Sequence, residues 1–356
     1  MRLAAKGPAA HARSRAPWRG KGQVQSVSEK TTRAAAPALD GHADYLIGMA
    51  ARAPSVHNTQ PWRFRVAGPV IELYADPRRK LRVDPAGREL LISCGAALYG
   101  LRLAVRSLGY LPVAELLPDP GRVRLLARVR AGAAAPLTGW ERQLLEAVPH
   151  RHTHRGAFGP GPLPAGLTAA LQHDAVAEGA TLALISPGLA YQRLADVTAA
   201  AGRRLDLDPR ARADVRRWTR AAANPAPDGI PAQAFPGRGE RQPGRLRQRD
   251  FDQGRGLGQL TGCGPPPPVT AILLTSGDSR ADWLRAGQAL HRLLLHAATR
   301  WVFASLHTQP LEAAGTRSLI RDRLALSGNP QMLMQLGPAG TTSATARRPP
   351  GDVAGP

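Results

Sequence analysis

Residues 53–62 carry side chains suited to holding a flat heteroaromatic ring. In order they are Ala, Pro, Ser, Val, His, Asn, Thr, Gln, Pro and Trp. Asn58 and Gln60 offer hydrogen-bond donors and acceptors together, and Pro54 and Pro61 restrict the backbone around them. Because the edge of such a ring presents donors and acceptors in a plane, this segment predicts a ligand site.

A second segment, residues 150–158, has the sequence HRHTHRGAF and is suited to an anion. Arg151 and Arg155 lie four residues apart with Thr153 between them, and guanidinium groups donate bidentately to phosphate oxygens. Two alternatives are a solvated basic loop and a metal site built from the three histidines. No carboxylate or cysteine joins those histidines, so we expect no metal and favour a phosphate site.

The hydrophobic periodicity of the chain predicts an α+β protein. The predicted helices cover 43–52, 89–108, 139–148, 163–171, 187–200, 211–221 and 281–299. The predicted strands cover 62–66, 70–74, 113–117, 123–129, 181–185 and 269–275. The first ligand segment therefore follows a short helix, and the second follows a helix that ends at Pro149.

The two longest predicted helices resemble each other at an offset of 192 residues. This offset relates Gly95 to Gly287, Leu98 to Leu290 and Leu101 to Leu293, and it relates the small residue Cys94 to Ala286. Chance similarity of two amphipathic helices is the alternative. A strand precedes each helix, so we predict two similar α+β halves that pack together as an intramolecular pseudo-dimer.

Composition limits the classes of partner. Lys and Arg number 48 against 26 Asp and Glu, a net charge of +22. The chain has only four lysines, and an Arg-, Ala-, Gly- and Pro-rich composition is what GC-rich codon usage produces, so we do not expect nucleic-acid binding. No apolar run approaches the ~20 residues of a membrane span, so we expect no membrane insertion.

The chain start and the cysteines complete this exclusion. Residues 1–38 are basic and without periodicity, which predicts a disordered leader, with a transit peptide as the alternative. The segment lacks the apolar core of a secretory signal, so we expect a cytoplasmic protein. Cys94 and Cys263 give no disulfide framework, and Cys94 lies on the apolar stripe of a helix as a small core residue.

Both ligand segments resemble motifs of the FMN-binding nitroreductase family. Residues 53–62 resemble its A-P-S-x-x-N-x-Q-P-W element, and Arg151–Arg155 resembles the R-x-S/T-x-R/K segment that binds the FMN phosphate. Ordinary members carry both motifs in each chain and hold FMN at a dimer interface. This chain has one motif in each half.

That division resembles the Acg-like branch, in which two degenerate nitroreductase repeats are fused and share one flavin. The resemblance covers about residues 40–353 and implies an α+β fold of tandem nitroreductase-like repeats. The implied organisation is a leader (1–38), a first repeat (39–149), a second repeat (150–337) that contains a long loop or lid region (224–268), and a tail (338–356). Few apolar residues anchor 236–263, which argues against an ordered lid.

The resemblance also assigns the site. It places Pro54, Ser55, Asn58 and Gln60 at the isoalloxazine ring, places Arg151, Thr153 and Arg155 at the phosphate, closes the phosphate site with Arg347 and Arg348, and places Thr308 at the flavin from the second half. For Arg347 and Arg348 the alternative is a disordered basic tail. We expect Trp62 in the core, His57 orienting backbone, and Trp301, Val302 and Phe303 crowding the flavin.

Two functions follow from the resemblance. The first is an oxidoreductase that passes electrons from NAD(P)H through FMN to a nitroaromatic or quinone-like acceptor, in which the cofactor supplies the redox chemistry and no side chain is an obligatory catalyst. The second is a non-catalytic protein that sequesters FMN and is linked to dormancy or stress. In both cases we expect one FMN on a monomeric chain.

Overall fold

Two long helices, α2 (Arg88–Ser107) and α7 (Arg280–Thr299), pack against each other at the centre of the protein. The computed structural model describes residues 39–235, 246–257, 268–312, 314–339 and 344–355. All of these belong to one unit, 36–356. The predicted disordered leader, Cys263 and most of the predicted loop 236–263 lie outside the described residues.

The first half contains one four-stranded antiparallel sheet. Its elements are α1 (Ala43–Ala51), β1 (Trp62–Ala67), β2 (Val70–Ala75), α2, β3 (Tyr110–Leu116), β4 (Leu125–Ala134) and α3 (Gly139–Ala147), and the strand order is β1-β2-β4-β3. The Thr138 side chain accepts from the Glu141 amide, and Glu141 accepts from Thr138, so a capping box begins α3.

The second half begins with α4 (Leu167–Ala177), β5 (Thr181–Ile185), α5 (Leu189–Leu207), α6 (Pro209–Trp218) and the short strands β6 (Thr219–Arg220) and β7 (Ile230–Pro231). It continues with β8 (Val269–Thr275), α7, β9 (Val302–Leu306), α8 (Gln309–Glu312), α9 (Ala314–Arg323), β10 (Asn329–Pro338) and α10 (Pro350–Val353). Its main sheet has the order β5-β8-β10-β9. In both sheets, therefore, a 20-residue helix leads from the second strand to the third.

The predicted elements are present, with shifted ends. The helix predicted at 163–171 begins at Leu167 because Gly166 adopts a left-handed conformation, φ 75°. The helix predicted at 211–221 begins at Pro209, where the Asp208 side chain accepts from the Arg210 amide at 2.8 Å. The strands β9 and β10 were not predicted, and prolines at both ends of β10 obscure its pattern.

The long helix α2 is a core element. It is long and apolar enough to cross a membrane, but 89% of that stretch is buried inside the protein, so burial explains its hydrophobicity. Trp62 and Cys94 are fully buried in the same cluster, as predicted, and burial raises the pKa of the Cys94 thiol far above its usual range. That thiol is therefore a packing residue.

The described end of the chain returns to the first half. Val353 is fully buried in the core around α1 and α2. The Gly355 amide donates to the Phe64 carbonyl at 2.8 Å, and Ala354 forms a parallel bridge with Phe64. Residues 344–355 are therefore packed, and the alternative of a disordered basic tail is wrong for Arg347 and Arg348.

Candidate functional site

A cavity opens where the segment after α1 meets residues of the second half. Its free space is about 850 Å³, part of it open to solvent, which is the size of a cofactor pocket. We call it the site cavity. Its wall consists of Pro54, Ser55, Val56, His57, Glu89, Ile92, Ser93, Thr153, Arg155, Ile230, Gln248, Arg249, Phe251, Leu290, Ser305, Leu306, Thr308, Gln309 and Met332.

Five of the ten predicted site residues line this wall: Pro54, Ser55, Thr153, Arg155 and Thr308. The structure thus brings the two sequence motifs together, although about a hundred residues separate them. The other five predicted residues lie outside the wall. They are Asn58, Gln60, Arg151, Arg347 and Arg348.

The turn that presents Ser55 and His57 is strained. His57, Asn58 and Gln60 have φ of 48°, 54° and 49°, which non-glycine residues rarely adopt. The Ser55 hydroxyl accepts from the Gln60 amide at 2.9 Å, and the Val56 amide donates to the Ser93 hydroxyl at 3.2 Å. Such strain persists only where neighbours enforce it, which is common at binding sites.

Asn58 and Gln60 hold this turn from behind. Asn58 Nδ2 donates to the carbonyls of Gly229 and Ala346 at 2.9 and 3.1 Å. Gln60 Nε2 donates to the Pro227 carbonyl at 2.8 Å, and Gln60 Oε1 accepts from the Arg348 amide at 2.8 Å. The prediction that both amides contact a ring is therefore corrected, because the protein itself occupies their N–H groups.

His57 differs from its prediction as well. Its side chain is buried at the cavity wall, 5.5 Å from the Phe251 ring between centroids. Neither ring nitrogen has a hydrogen-bond partner among the described residues, so the ring does not orient backbone. Burial, followed by the charges of Arg249 and Arg155, lowers the pKa of His57 well below its usual value. The ring is therefore neutral and offers one donor and one acceptor.

Arg151, Arg155 and Arg347 form what we call the arginine cluster. Arg155 lines the site cavity, and Arg151 is buried beside it with Nη2 donating to the Arg52 carbonyl at 3.1 Å. Arg347 also reaches the Arg52 carbonyl, at 3.5 Å. Arg151 Nε and Nη1 and Arg347 Nε have no partner among the described residues.

No carboxylate among the described residues forms an ion pair with the arginine cluster. Burial, and then Arg155, lower the pKa of Arg151 to about 10, and burial lowers the pKa of Arg155 to about 10. Burial and three neighbouring arginines lower the pKa of Arg347 well below its usual value. Buried cations that repel one another, with N–H groups unused, constitute a site for a multiply charged anion.

Arg348 has a different role from the one predicted. Its guanidinium lies 3.5 Å from the Gln60 carbonyl and donates to the Asp352 carbonyl, and its amide binds the Gln60 side chain. Arg348 therefore fastens the chain end to the strained turn. Its assignment to the phosphate site is corrected.

Residues 246–257, which we call the covering segment, supply Gln248, Arg249 and Phe251 to the wall. Arg249 is paired with the buried carboxylate of Glu312, which also accepts from the Thr308 hydroxyl at 3.0 Å. Few apolar anchors were expected in this region, yet ionic and aromatic contacts fix this part of it. Sequence reasoning missed these three residues because they lie in an irregular, Arg-rich stretch.

Two further expectations are settled by the geometry. Trp301 is 58% exposed and lies against His150, while Val302 and Phe303 are buried on β9, and none of the three lines the site cavity. The predicted crowding is therefore wrong. Among the described residues no group of three His, Cys, Asp or Glu side chains could hold a metal ion.

No protein-family model matches the chain, whereas individual relatives do. A Mycobacterium tuberculosis protein named "Putative NAD(P)H nitroreductase Rv3131" is 35% identical over 298 residues, which is 82% of this chain and 83% of that protein. The chain belongs to the nitroreductase family. Within this nitroreductase family it is also similar to "Putative NAD(P)H nitroreductase acg" of the same species, with 28% identity over 312 residues, covering 86% of this chain and 93% of the relative.

Solved structures resemble this nitroreductase-family chain more weakly. The FMN-dependent nitroreductase NfnB from Mycobacterium smegmatis, in complex with NADPH, aligns with 56% of this chain and 89% of its own, at 20% identity. The TM-score of that alignment is 0.35, too low to establish a common fold. The family assignment therefore depends on the sequence relatives.

Proposed function

We propose that this chain binds one FMN in the site cavity and uses it to pass electrons from NAD(P)H to a nitroaromatic or quinone-like acceptor. The observation that carries the proposal is the arginine cluster: buried guanidiniums with unused N–H groups, without a carboxylate among the described residues, beside a cavity of cofactor size. Relatives named as NAD(P)H nitroreductases support it.

The residues present fit FMN. Arg151, Arg155 and Arg347, with the Thr153 hydroxyl, would hold the phosphate, whose oxygens supply the missing acceptors. Pro54, Ser55 and the neutral His57 would contact the ring from one side, and Thr308 from the other. When bound, the flavin would supply the hydride and electron transfer.

The protein's own contribution is binding and exclusion of water. The site cavity is walled by apolar groups from both long helices, Ile92 and Leu290, and by Phe251 of the covering segment. A dry wall strengthens every electrostatic contact that the polar groups make. Orientation and a low local dielectric are what a flavin protein adds to the chemistry of its cofactor.

A second candidate function is sequestration of FMN without turnover, linked to dormancy or stress. The covering segment favours it, because Arg249 is paired with buried Glu312 and Phe251 contacts both His57 and Arg155. A cover held in this way restricts the space for a nicotinamide. In either case we expect a cytoplasmic monomer.

One experiment separates these functions. Purified protein is saturated with FMN, the flavin-to-chain ratio is measured, and NADPH is added without oxygen. One flavin per chain that bleaches supports the oxidoreductase, whereas one flavin that stays oxidised supports sequestration. No uptake of FMN, or uptake of two equivalents, would contradict both.

A further inference from the structure

A second set of buried charges lies on the site cavity, opposite in sign to the arginine cluster. Glu89, in the first turn of α2, is 3% exposed and lines the wall. Its Oε1 accepts from Arg88 Nη2 at 3.2 Å, and its Oε2 has no partner among the described residues. A buried carboxyl with one free oxygen at a ligand cavity is a group poised for a ligand atom.

The charged groups that act on Glu89 come from four places. Arg88 lies on the same helix, Asp84 precedes that helix, Glu312 ends α8, and Arg249 belongs to the covering segment. Three buried carboxyls thus meet two guanidiniums. Because an excess buried negative charge is costly, one carboxyl of the three should keep its proton.

Of these three carboxyls, Glu89 is the one least stabilised as an anion. Glu312 is paired with Arg249 and accepts from Thr308, and Asp84 Oδ2 accepts from the Leu90 amide at 3.1 Å. Glu89 has only Arg88.

Arg88 itself is shared among several acceptors. It also donates to the Gln331 carbonyl at 2.8 Å, the Gln331 side chain at 3.3 Å and the Leu311 carbonyl at 3.3 Å. Burial, and then the Glu312 carboxylate, raise the pKa of Glu89 well above its usual range, against the attraction of Arg88. The proton therefore belongs on Glu89.

We propose that Glu89 is a neutral carboxylic acid in the folded protein and that its hydroxyl donates a hydrogen bond to an acceptor atom of the ring held in the site cavity. The ligand side of this inference rests on the proposed function. It assigns that ring atom as a carbonyl oxygen or an unprotonated nitrogen. Glu89 is thus a specificity-determining residue.

The protonation state can be tested without any ligand. The full chain, freed of flavin and labelled with carbon-13 glutamate, is examined by infrared spectroscopy as a function of pH. We expect the carbonyl band of a protonated glutamic acid to persist at neutral pH, to disappear in Glu89→Gln, and to remain in the control Glu115→Gln, since Glu115 is exposed on β3. Absence of the band in the wild type, or its survival in Glu89→Gln, would overturn the inference.

The ligand contact is tested by FMN affinity in the same two variants. The side-chain amide introduced by Glu89→Gln would keep a donor but cannot ionise, so wild type and variant should bind alike at low pH. As pH rises through the Glu89 pKa, the wild type should lose about tenfold relative to Glu89→Gln, the loss of one hydrogen bond. Titration of the FMN phosphate affects both proteins equally and cancels in this ratio.

The two proposals fail separately. If the wild type binds no FMN, the proposed function is wrong, while the infrared result still decides the state of Glu89. If FMN binds and the affinity ratio does not change with pH, the Glu89 contact is wrong and the proposed function stands.

Discussion

Gly95 of α2 and Gly287 of α7 face each other where the two helices cross, so that a Cβ on Gly287 would lie 2.8 Å from the Cα of Gly95. The contact is reciprocal: a Cβ on Gly95 would overlap the carbonyl oxygen of Leu284, and a Cβ on Gly287 would overlap that of Ile92. The offset of 192 residues relates both pairs. Reciprocal contacts of this kind are what a twofold interface requires.

The next turn of each helix repeats the relation. Tyr99 and His291, again 192 residues apart, are in edge-to-face contact with ring centroids 5.8 Å apart. Together with the matching strand orders of the two sheets, these contacts are the geometry that the predicted pseudo-dimer needs. We therefore keep the tandem repeat, with its division at residues 149 and 150, as our interpretation of the chain.

Gly287→Ala should be strongly destabilising, because its Cβ would meet backbone atoms of α2 that cannot rotate away. Overpacking of a core costs about 1–3 kcal/mol. We expect the free energy of unfolding, measured by urea denaturation, to fall by at least that amount. Gly139→Ala is the control, since open space surrounds its Cβ at the start of α3. Equal stability of the two variants would show that the helices do not cross as described.

Arg151→Ala should weaken FMN binding and stabilise the flavin-free protein. A hydrogen bond to a charged group is worth about 1.5–3 kcal/mol, so the FMN dissociation constant should rise about 10- to 100-fold. Without FMN the same change removes a buried cation that Arg155 repels, so the melting temperature should rise. Exposed Arg142→Ala should change neither quantity. Loss of stability in flavin-free Arg151→Ala would mean that the cluster has a structural role.

The site was partly accessible from sequence, and the divide has a physical basis. Pro54, Ser55, Thr153, Arg155 and Thr308 could be placed because the two motifs that contain or flank them resemble a family pattern. Asn58, Gln60 and Arg348 were misassigned, since their partners lie far away in the chain and only the fold shows that those partners occupy them.

Glu89 and His57 show a second limit of sequence reasoning. In the sequence Glu89 is an ordinary acidic residue in the first turn of a helix, a position that favours an anion. Its burial beside Glu312 comes from α8, more than 200 residues later. His57 likewise depends on the covering segment for its surroundings. Charge state is a property of such long-range packing, whereas helix and strand type follow from local periodicity.

Phe251→Ala should speed the release of FMN. The Phe251 ring lies in the cavity wall against His57, and the Arg155 guanidinium is 5.8 Å from its centroid. Removing the ring opens the covering segment to water and should raise the FMN dissociation rate, followed by flavin fluorescence, about tenfold or more. Val123→Ala, at a 63% exposed position, is the control. An unchanged rate would show that residues 246–257 do not cover bound flavin.

Acid should destabilise the protein through its buried histidines. His307 is 2% exposed, and burial lowers its pKa to about 4 against an ordinary 6.5. Between these values the unfolded chain binds a proton that the folded chain does not, so stability is complete above pH 6.5 and is lost as pH falls towards 4. The shift corresponds to about 3 kcal/mol. Urea denaturation at a series of pH values should therefore give a shallower slope for His307→Gln than for the wild type over this window. The exposed His150→Gln should retain the wild-type slope, and equal slopes in all three proteins would place the acid sensitivity elsewhere.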